Sequence, residues 1–280
     1  MGGYRMVALV KQVPDTSTKA GVNPDGTVDR ARAKRMLNPF DKFGLQKAIE
    51  VKNAHGGEII AITMGPPPAI EILVEALEYG ADRCYLLTDR RLAASDTLAT
   101  AYALHKAVQY VGPADIVFTG LQTTDGDTAQ TGPQIAERLN LPQVTYCERL
   151  EIKDGKAKAR RVVEGGHQWL EAPLPILITV ANSASKLEHK RFANVHKVKE
   201  LLRNKEEMSK RIFTIDLDVI GAESGRTGLV GSPTVVGKTW KLGEIGGSCH
   251  MLSGDSPTHN VEHLMLKLKE DNRGVEELIQ

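Results

Sequence analysis

Two rhythms alternate along the first 140 positions. Met6–Val13, Glu58–Thr63, Arg83–Leu87 and Asp115–Thr119 are short, largely continuous apolar runs of the length of buried strands. Between them apolar residues recur every three or four positions, as in Phe40, Leu45, Ala48 and Ile49, in the run 69–79, and in Leu98, Ala101, His105 and Val108. Punctuation agrees with a helical reading of these stretches. Asn38 suits an N-cap with Pro39 in the first turn, Ser95 or Asp96 caps the third helix, and Gly80 stops the second. Strand, helix, strand, helix at this spacing predicts an α/β protein whose mainly parallel sheet carries helices on both faces. Ligands of such sheets lie beyond the carboxyl ends of the strands, and the polar, glycine-bearing turns of this chain fall at that end.

The rhythm changes after Leu141. Gln143–Tyr146 reads as a further core strand, Asp154-Gly155 as the turn of a hairpin, and Leu174–Val180 as a strand. Residues 186–211 are basic and helical in pattern. From Gly221 the content of Gly, Ser, Pro and Thr rises, which predicts an extended arm over about 221–258. Behind it Asn260–Lys269 carries an apolar stripe of Val261, Leu264, Met265 and Leu268. The expected organisation is a domain over 1–220, with hairpin insertions near 14–35 and 150–170, and an arm and helix over 221–280 that need a partner surface.

Composition narrows the function classes. A net charge of +1 in 280 residues gives no reason to expect nucleic acid or an anionic membrane as partner. The three cysteines, Cys84, Cys147 and Cys249, are odd in number and scattered, which suits reduced thiols. The start, MGGYRMVALVKQV, has neither the apolar core of a signal peptide nor the length of a membrane span, so a cytoplasmic protein without direct membrane insertion is expected. Cys249, His250, His259 and His263 lack the paired spacing of a zinc site and read as surface residues, so no metal site is expected. His105 and His167 read as packing or hydrogen-bonding residues, and Trp169 and Trp240 as packing residues.

The stretch GLQTTDGDTAQTGPQIAERL, 120–139, carries the candidate chemistry. A strand that turns into a helix here offers unpaired backbone N–H groups and the positive end of a helix dipole, both suited to phosphate. Thr128, Gln130 and Thr131 add donors, and Gly126 and Gly132 allow close approach of a pyrophosphate. Asp125 and Asp127 disfavour phosphate at their own positions but suit a helix cap or a ribose hydroxyl. The stretch is neither a Walker loop nor a GxGxxG turn, so a capped junction without ligand stays open on pattern alone.

Further along, Ala159–Thr179 resembles the signature of electron-transfer flavoprotein (ETF) β subunits, through Arg161, Glu164-Gly165-Gly166, Gln168, Pro175, Leu177-Ile178 and Thr179. Other motifs of that family fall in order: VALVKQVPD near the start, NPFD at 38–41, AITMGP at the second strand, DGDTAQTGP after the fourth, RFAN at 191–194 and GSPT at 231–234. The resemblance spans essentially the whole chain. It implies a Rossmann-like three-layer α/β/α domain of the adenine-nucleotide-hydrolase-like kind, an extended C-terminal arm, and an α subunit as obligate partner.

It also implies a cofactor site. Leu9, Val10 and Met64 would contact the adenosine part, and Asn38, Pro39, Phe40 and Asp41 would border the site. Gly120, Gln122, Thr124, Asp125, Gly126, Asp127, Thr128, Ala129, Gln130 and Thr131 would hold the phosphates, with Asp96 and Thr97 shaping the flavin or nicotinamide surroundings. Two branches of the family differ in chemistry. The housekeeping branch keeps AMP at this site as a structural nucleotide, whereas the bifurcating branch binds a second FAD that accepts hydride from NADH. Asp41, Gly126 and the run Ser95–Thr100 resemble the bifurcating branch. FAD is therefore expected, with AMP as the alternative, and electrons would pass from NADH to an α-subunit FAD and to ferredoxin, an acyl-CoA dehydrogenase or a quinone oxidoreductase. No side chain is expected to act as a catalytic acid or base. A basic stretch at 182–196 resembles the loop on which such partners dock. The rival from another class, a nucleotide sensor or ATP-utilising enzyme on the same fold, lacks its usual glycine-rich phosphate motif here.

Overall fold

The computed structural model describes residues 3–15, 21–22, 28–29, 34–237, 249–252 and 254–271. The first strand, β1 (Tyr4–Leu9), ends sooner than its apolar run suggests. β2 (Gln12–Pro14) pairs antiparallel with β5 (Arg35–Leu37), and the two-residue strands β3 (Gly21–Val22) and β4 (Val28–Asp29) pair with each other. Val10 N–H still donates to Ile62 C=O of β6, and the chain leaves the sheet at Lys11, whose C=O accepts from Asn38 N–H, both at 2.9 Å.

Helix and strand then alternate as the pattern requires. α1 (Pro39–His55), β6 (Gly57–Met64), α2 (Ile70–Tyr79), β7 (Arg83–Leu87), α3 (Thr97–Val111), β8 (Ile116–Gly120) and α4 (Thr131–Leu139) follow in order. Next come β9 (Gln143–Lys153), β10 (Lys156–Val163), β11 (Gly166–Pro173) and β12 (Ile176–Val180), then α5 (Phe192–Arg203), α6 (Lys205–Ser209), β13 (Ile212–Ile215) and α7 (Pro257–Asp271).

Nine strands form one sheet in the order β11-β10-β9-β12-β8-β1-β6-β7-β13. From β9 to β13 each neighbouring pair is parallel, and β10 and β11 extend the sheet antiparallel. A parallel sheet is buried on both faces, which is why β8 and β12 have no exposed position. One core joins Met6, Ala8, Ile59 and Ala61 to Leu45 and Ala48 of α1, Leu73 and Ala76 of α2 and Val198 of α5. The other joins Val7, Leu9, Ile60 and Ile62 to Ala103 and Ala107 of α3 and Ile135 and Ala136 of α4. The fold is therefore three-layered, α/β/α.

Several elements depart from the pattern. The hairpin at Asp154-Gly155 forms, both residues left-handed at φ 51° and 73°, and its second strand turns again, at Glu164-Gly165, into a further antiparallel strand, β11. The basic stretch 186–211 is helical only from Phe192, and β13 follows it at the sheet edge. Trp169 is 46% exposed on β11, with Lys158 Nζ 5.2 Å from its ring centre, so it is no core residue; Trp240 lies outside the described residues. Cys84 and Cys147 are buried free thiols, and Cys249 is exposed. No helix among the described residues is long and apolar enough to cross a membrane. By contacts the chain divides into Met1–Thr239, which holds the whole sheet, and Trp240–Gln280, whose described part is mainly α7.

α1 lies against the end of β8 through a glycine. A Cβ at Gly44 would come within 2.9 Å of the Thr119 carbonyl carbon and oxygen, which are backbone atoms that cannot step aside. Gly44→Ala should cost about 1–3 kcal/mol in urea unfolding, as overpacking does. Gly225→Ala, where an added Cβ meets nothing within 4 Å, should stay within about 0.5 kcal/mol of the parent.

Candidate functional site

Strand order places the site. After β1 the chain adds β6 and β7 on one side, then crosses to add β8, β12 and β9 on the other. The reversal falls between β1 and β8, and a crevice opens at such a point outside the carboxyl ends. α3 and α4 start at that end because they follow the carboxyl termini of β7 and β8, and α1 starts there because Asn38 N–H is bonded to Lys11 C=O just beyond β1.

One carboxylate bridges the two strand ends. Asp41, in the first turn of α1 and 6% exposed, accepts from Lys11 N–H at 2.8 Å and, with its other oxygen, from Gly120 N–H at 3.3 Å. Gly120 has to be glycine for this, since a Cβ there would sit 2.5 Å from both Asp41 Oδ1 and the Phe40 carbonyl carbon. Burial pushes the Asp41 carboxyl up to about 7; the hydrogen bonds from Lys11, Asn38 and Gly120 and the Lys11 charge pull it back only in part.

Asn38 stands at the N-cap position of α1 but makes no capping bond with its side chain. Instead the fully buried amide reaches across to the loop after β8. Its Nδ2 donates to Gln122 C=O at 2.8 Å, and its Oδ1 accepts from Thr124 N–H at 3.4 Å. The expected cap is thus a clasp between α1 and the polar loop. Lys11 holds the same loop from the other side through the Asp125 carboxylate, at 2.8 Å to each oxygen. Inside the loop, Gln122 Nε2 donates to Asp127 Oδ1, and Asp127 and Ala129 are both left-handed at φ 53°. Two non-glycine residues in that conformation within three positions mark a backbone held by its surroundings.

The three helix starts differ in charge. Asp41 occupies the first turn of α1. Asp96 caps α3, accepting from Ala99 N–H at 3.0 Å, and its second oxygen accepts from the Thr234 N–H at 3.1 Å and hydroxyl at 2.8 Å. Ser232 Oγ accepts from Asp96 N–H at 2.8 Å. The 231–234 segment thus closes over the start of α3 and occupies the Asp96 carboxylate. α4 begins at Thr131 behind Gln130, with no side-chain cap and no acidic residue in its first turn, so its first backbone N–H groups face the crevice uncompensated.

Polar side chains line the path between α3 and α4. Thr97 Oγ1 donates to Gln130 Oε1 at 3.1 Å and accepts from Gln134 Nε2 at 3.3 Å. Gln134 Oε1 is buried without a partner, as is Thr63 Oγ1 at the end of β6. The unpaired Gln134 Oε1 beside an uncapped helix start fits a ligand with phosphate and hydroxyl groups, whereas Thr63 alternates with Ile59 and Ala61 onto the α1/α2 face of the sheet. Gly126 is exposed, with only Thr123 Oγ1 within 4 Å of a Cβ, and Thr128 is exposed too. Gly132 serves packing instead, since a Cβ there would meet Thr179 Cγ2 at 2.8 Å and Thr119 Oγ1 at 2.9 Å.

The remaining sequence candidates sort by burial. Leu9 and Val10 are 6% and 5% exposed and point into the two opposite cores, so only their backbone reaches the crevice. Pro39, Phe40 and Met64 are half-buried around its mouth. Lys11, Gln134, Ser232 and Thr234 escaped the residue-level reading. Lys11 left one signal, a charged residue directly after a buried strand. Ser232 and Thr234 were visible only as part of the GSPT motif, without a role, because their partner Asp96 is more than a hundred residues away.

Comparison with known proteins agrees with this geometry. Residues 25–206 match the electron transfer flavoprotein domain. Protein FixA of Sinorhizobium fredii is 41% identical over 239 residues, covering 82% of this chain and 81% of FixA. Electron transfer flavoprotein subunit beta of Clostridium acetobutylicum is 37% identical over 269 residues, 95% of this chain and 98% of the relative. Caffeyl-CoA reductase-Etf complex subunit CarD of Acetobacterium woodii is 37% identical over 268 residues, again 95% and 98%.

The two anchors of the loop should differ in strength. Asn38→Ala leaves the Gln122 carbonyl and the Thr124 N–H without their partner and should cost about 1–3 kcal/mol, with faster amide exchange across 121–130. Lys11→Gln removes an exposed ion pair and should cost less than about 1 kcal/mol. Asp41 adds a pH signature. Its carboxyl keeps its proton to about 7 in the folded chain, against 3.8 unfolded, so its contribution is fully present below pH 4 and lost as pH rises through 7. Unfolding of Asp41→Asn should show a smaller fall in stability between pH 4 and 7 than the parent.

Proposed function

Because this chain belongs to the electron transfer flavoprotein domain family, as a Fix-like member of the β-subunit type, we propose that its crevice holds FAD and that it passes electrons from NADH through an α subunit to a low-potential acceptor. The observation that carries the cofactor reading is the start of α4: alone of the three helices beginning at the crevice, it has neither a cap nor a carboxylate in its first turn. A pyrophosphate would be held there by the backbone N–H groups of Thr131 and Gly132, with Thr128 and Gln130 beside it. The Gln134 Oε1 atom would gain the partner it lacks. Leu9, Val10 and Met64 would border the adenosine, with Asn38 and Asp41 on the floor.

Bound FAD would supply hydride acceptance and one-electron transfer, which no side chain of this chain can provide. The residues contribute position and field. The Asn38 and Lys11 clasps hold the loop in its left-handed turns, the 231–234 segment closes over Asp96 at the start of α3, and no general acid or base is required. AMP in the same crevice is the alternative, because the phosphate grip alone does not discriminate between the two nucleotides.

A partner is supported by the similarity to subunits of reductase–Etf complexes and by α7, on which Val261, Leu264, Met265 and Leu268 recur at helical spacing. We assign the region 221–280 to docking on an α subunit. The stretch 182–196 is assigned to redox partners such as ferredoxin, an acyl-CoA dehydrogenase or a quinone oxidoreductase. It is anchored by Lys190, whose Nζ lies 2.6 Å from Glu78 and 5.3 Å from the Tyr79 ring centre, and it presents Phe192, 84% exposed.

The test is the nucleotide content of the chain co-expressed with the α subunit encoded beside it, denatured and quantified. FAD at both sites without AMP is expected, together with NADH-driven reduction of ferredoxin. AMP beside a single flavin would replace this reading with a simple electron carrier, and no flavin at all would overturn it.

A further inference from the structure

We propose that the crevice takes up its anionic ligand together with a proton, and that Asp41 holds that proton. This rests on reading the crevice as a nucleotide site and adds the charge state in which it binds. The geometry supplies the argument. Asp41 is almost wholly buried between the ends of β1 and β8, where its partners are neutral: Lys11 N–H, Gly120 N–H and the Asn38 amide. Among the described residues the cation that faces it is Lys11, and the Lys11 ammonium group is bound to the Asp125 carboxylate.

The other elements packed around Asp41 add no compensating charge. β8 (Ile116–Gly120), β12 (Ile176–Val180) and the first turn of α4 contain no titratable side chain. Those of β1 and β6 (Tyr4, Arg5 and Glu58) lie at the opposite strand ends, and Lys42, next to Asp41 on α1, is bound to Glu75 of α2. Asn38, Pro39 and Phe40 precede it on its own element. Asp127 of the loop is hydrogen-bonded to Gln122, and Asp96, across at α3, is closed by Thr234. An anion seated at the start of α4 therefore places a second negative charge near a buried carboxylate that lacks a free counter-ion. Like charges sharing a site of low dielectric favour protonation of one of them. The proton goes to Oδ1, whose bond to Gly120 N–H is the longer at 3.3 Å, while Oδ2 keeps its 2.8 Å bond to Lys11 N–H. Burial has already brought the empty-site carboxyl to about 7, so the proton is available near neutral pH.

The sign follows from linkage. Ligand raises the Asp41 pKa above its empty-site value, so affinity is highest and level below that value and falls as pH rises beyond it, by at most about tenfold per pH unit. ADP-ribose is the probe, because its pyrophosphate diester does not change charge in this window. Titration calorimetry of the full-length chain in two buffers of different ionisation heat counts the protons exchanged.

At pH 7.5 to 8 the parent should take up a substantial fraction of a proton per ligand and lose affinity toward pH 9. Asp41→Asn should take up none and bind with pH-independent affinity. Binding without proton uptake in the parent overturns the proposal and leaves the nucleotide reading intact, and this measurement needs no variant that might fail to fold. Uptake that persists in Asp41→Asn also overturns it, by assigning the proton to another group. Absence of ADP-ribose binding at every pH overturns both.

Discussion

Where the strand order of a parallel sheet reverses, two neighbouring strand ends part, and the backbone N–H groups facing the gap lose the partners a continuing sheet would offer. Here both groups, on Lys11 and Gly120, are taken by the Asp41 carboxylate. An unpaired buried N–H costs about 1–3 kcal/mol, so a single side chain that satisfies two is a strong constraint on everything around it. It requires the first turn of α1 to lie against β8, which in turn requires glycine at 120 and at 44. It sets Asn38 where its amide can reach the loop after β8. The crevice is therefore shaped from below by backbone needs, before any ligand is considered.

That constraint also separates what could be read from the chain and what could not. β7 occupies the run expected of it, Arg83–Leu87, and β8 is shifted from its own by only one residue, because continuous apolar runs between turn residues have no other stable use in a sheet covered on both faces. Asn38 and Gly132 were legible as residue types but not as roles. Both suit a local purpose, a cap or a phosphate approach, and both are used for a distant one, the clasp on Gln122 and Thr124 and the contact with Thr119 and Thr179. Local preference cannot reveal a partner eighty residues away. The short edge strand β13 escaped for a different reason: its four residues follow two helices without a strong turn signal.

The site was legible in outline through motifs and in charge only through structure. Asp41, Asp96 and Asp125 look alike in sequence, three acids near a proposed anion. In the fold one bridges strand ends, one is closed by Thr234 and one is matched by Lys11. Burial favours the neutral form of Asp41, Lys11 offsets the charge of Asp125, and the charge of Asp96 is spent on the start of α3 and on Thr234. This leaves the start of α4 as the helix end in the crevice without an acid of its own.

The place of β1 in the sheet bears on how the molecule comes into being. Among the strands of this sheet the one made earliest, β1, is a central one, flanked by β6 and β8, and the bond from Arg5 N–H to Asp115 spans 110 residues. At about 5–20 residues per second, translation needs on the order of ten seconds to deliver β8 after β1 has appeared. Through that interval a strand whose last four residues are destined for full burial has an open flank. Nascent chains cut short before residue 120 would carry that flank permanently, so quality control of this protein has a natural checkpoint at the emergence of its fourth parallel strand.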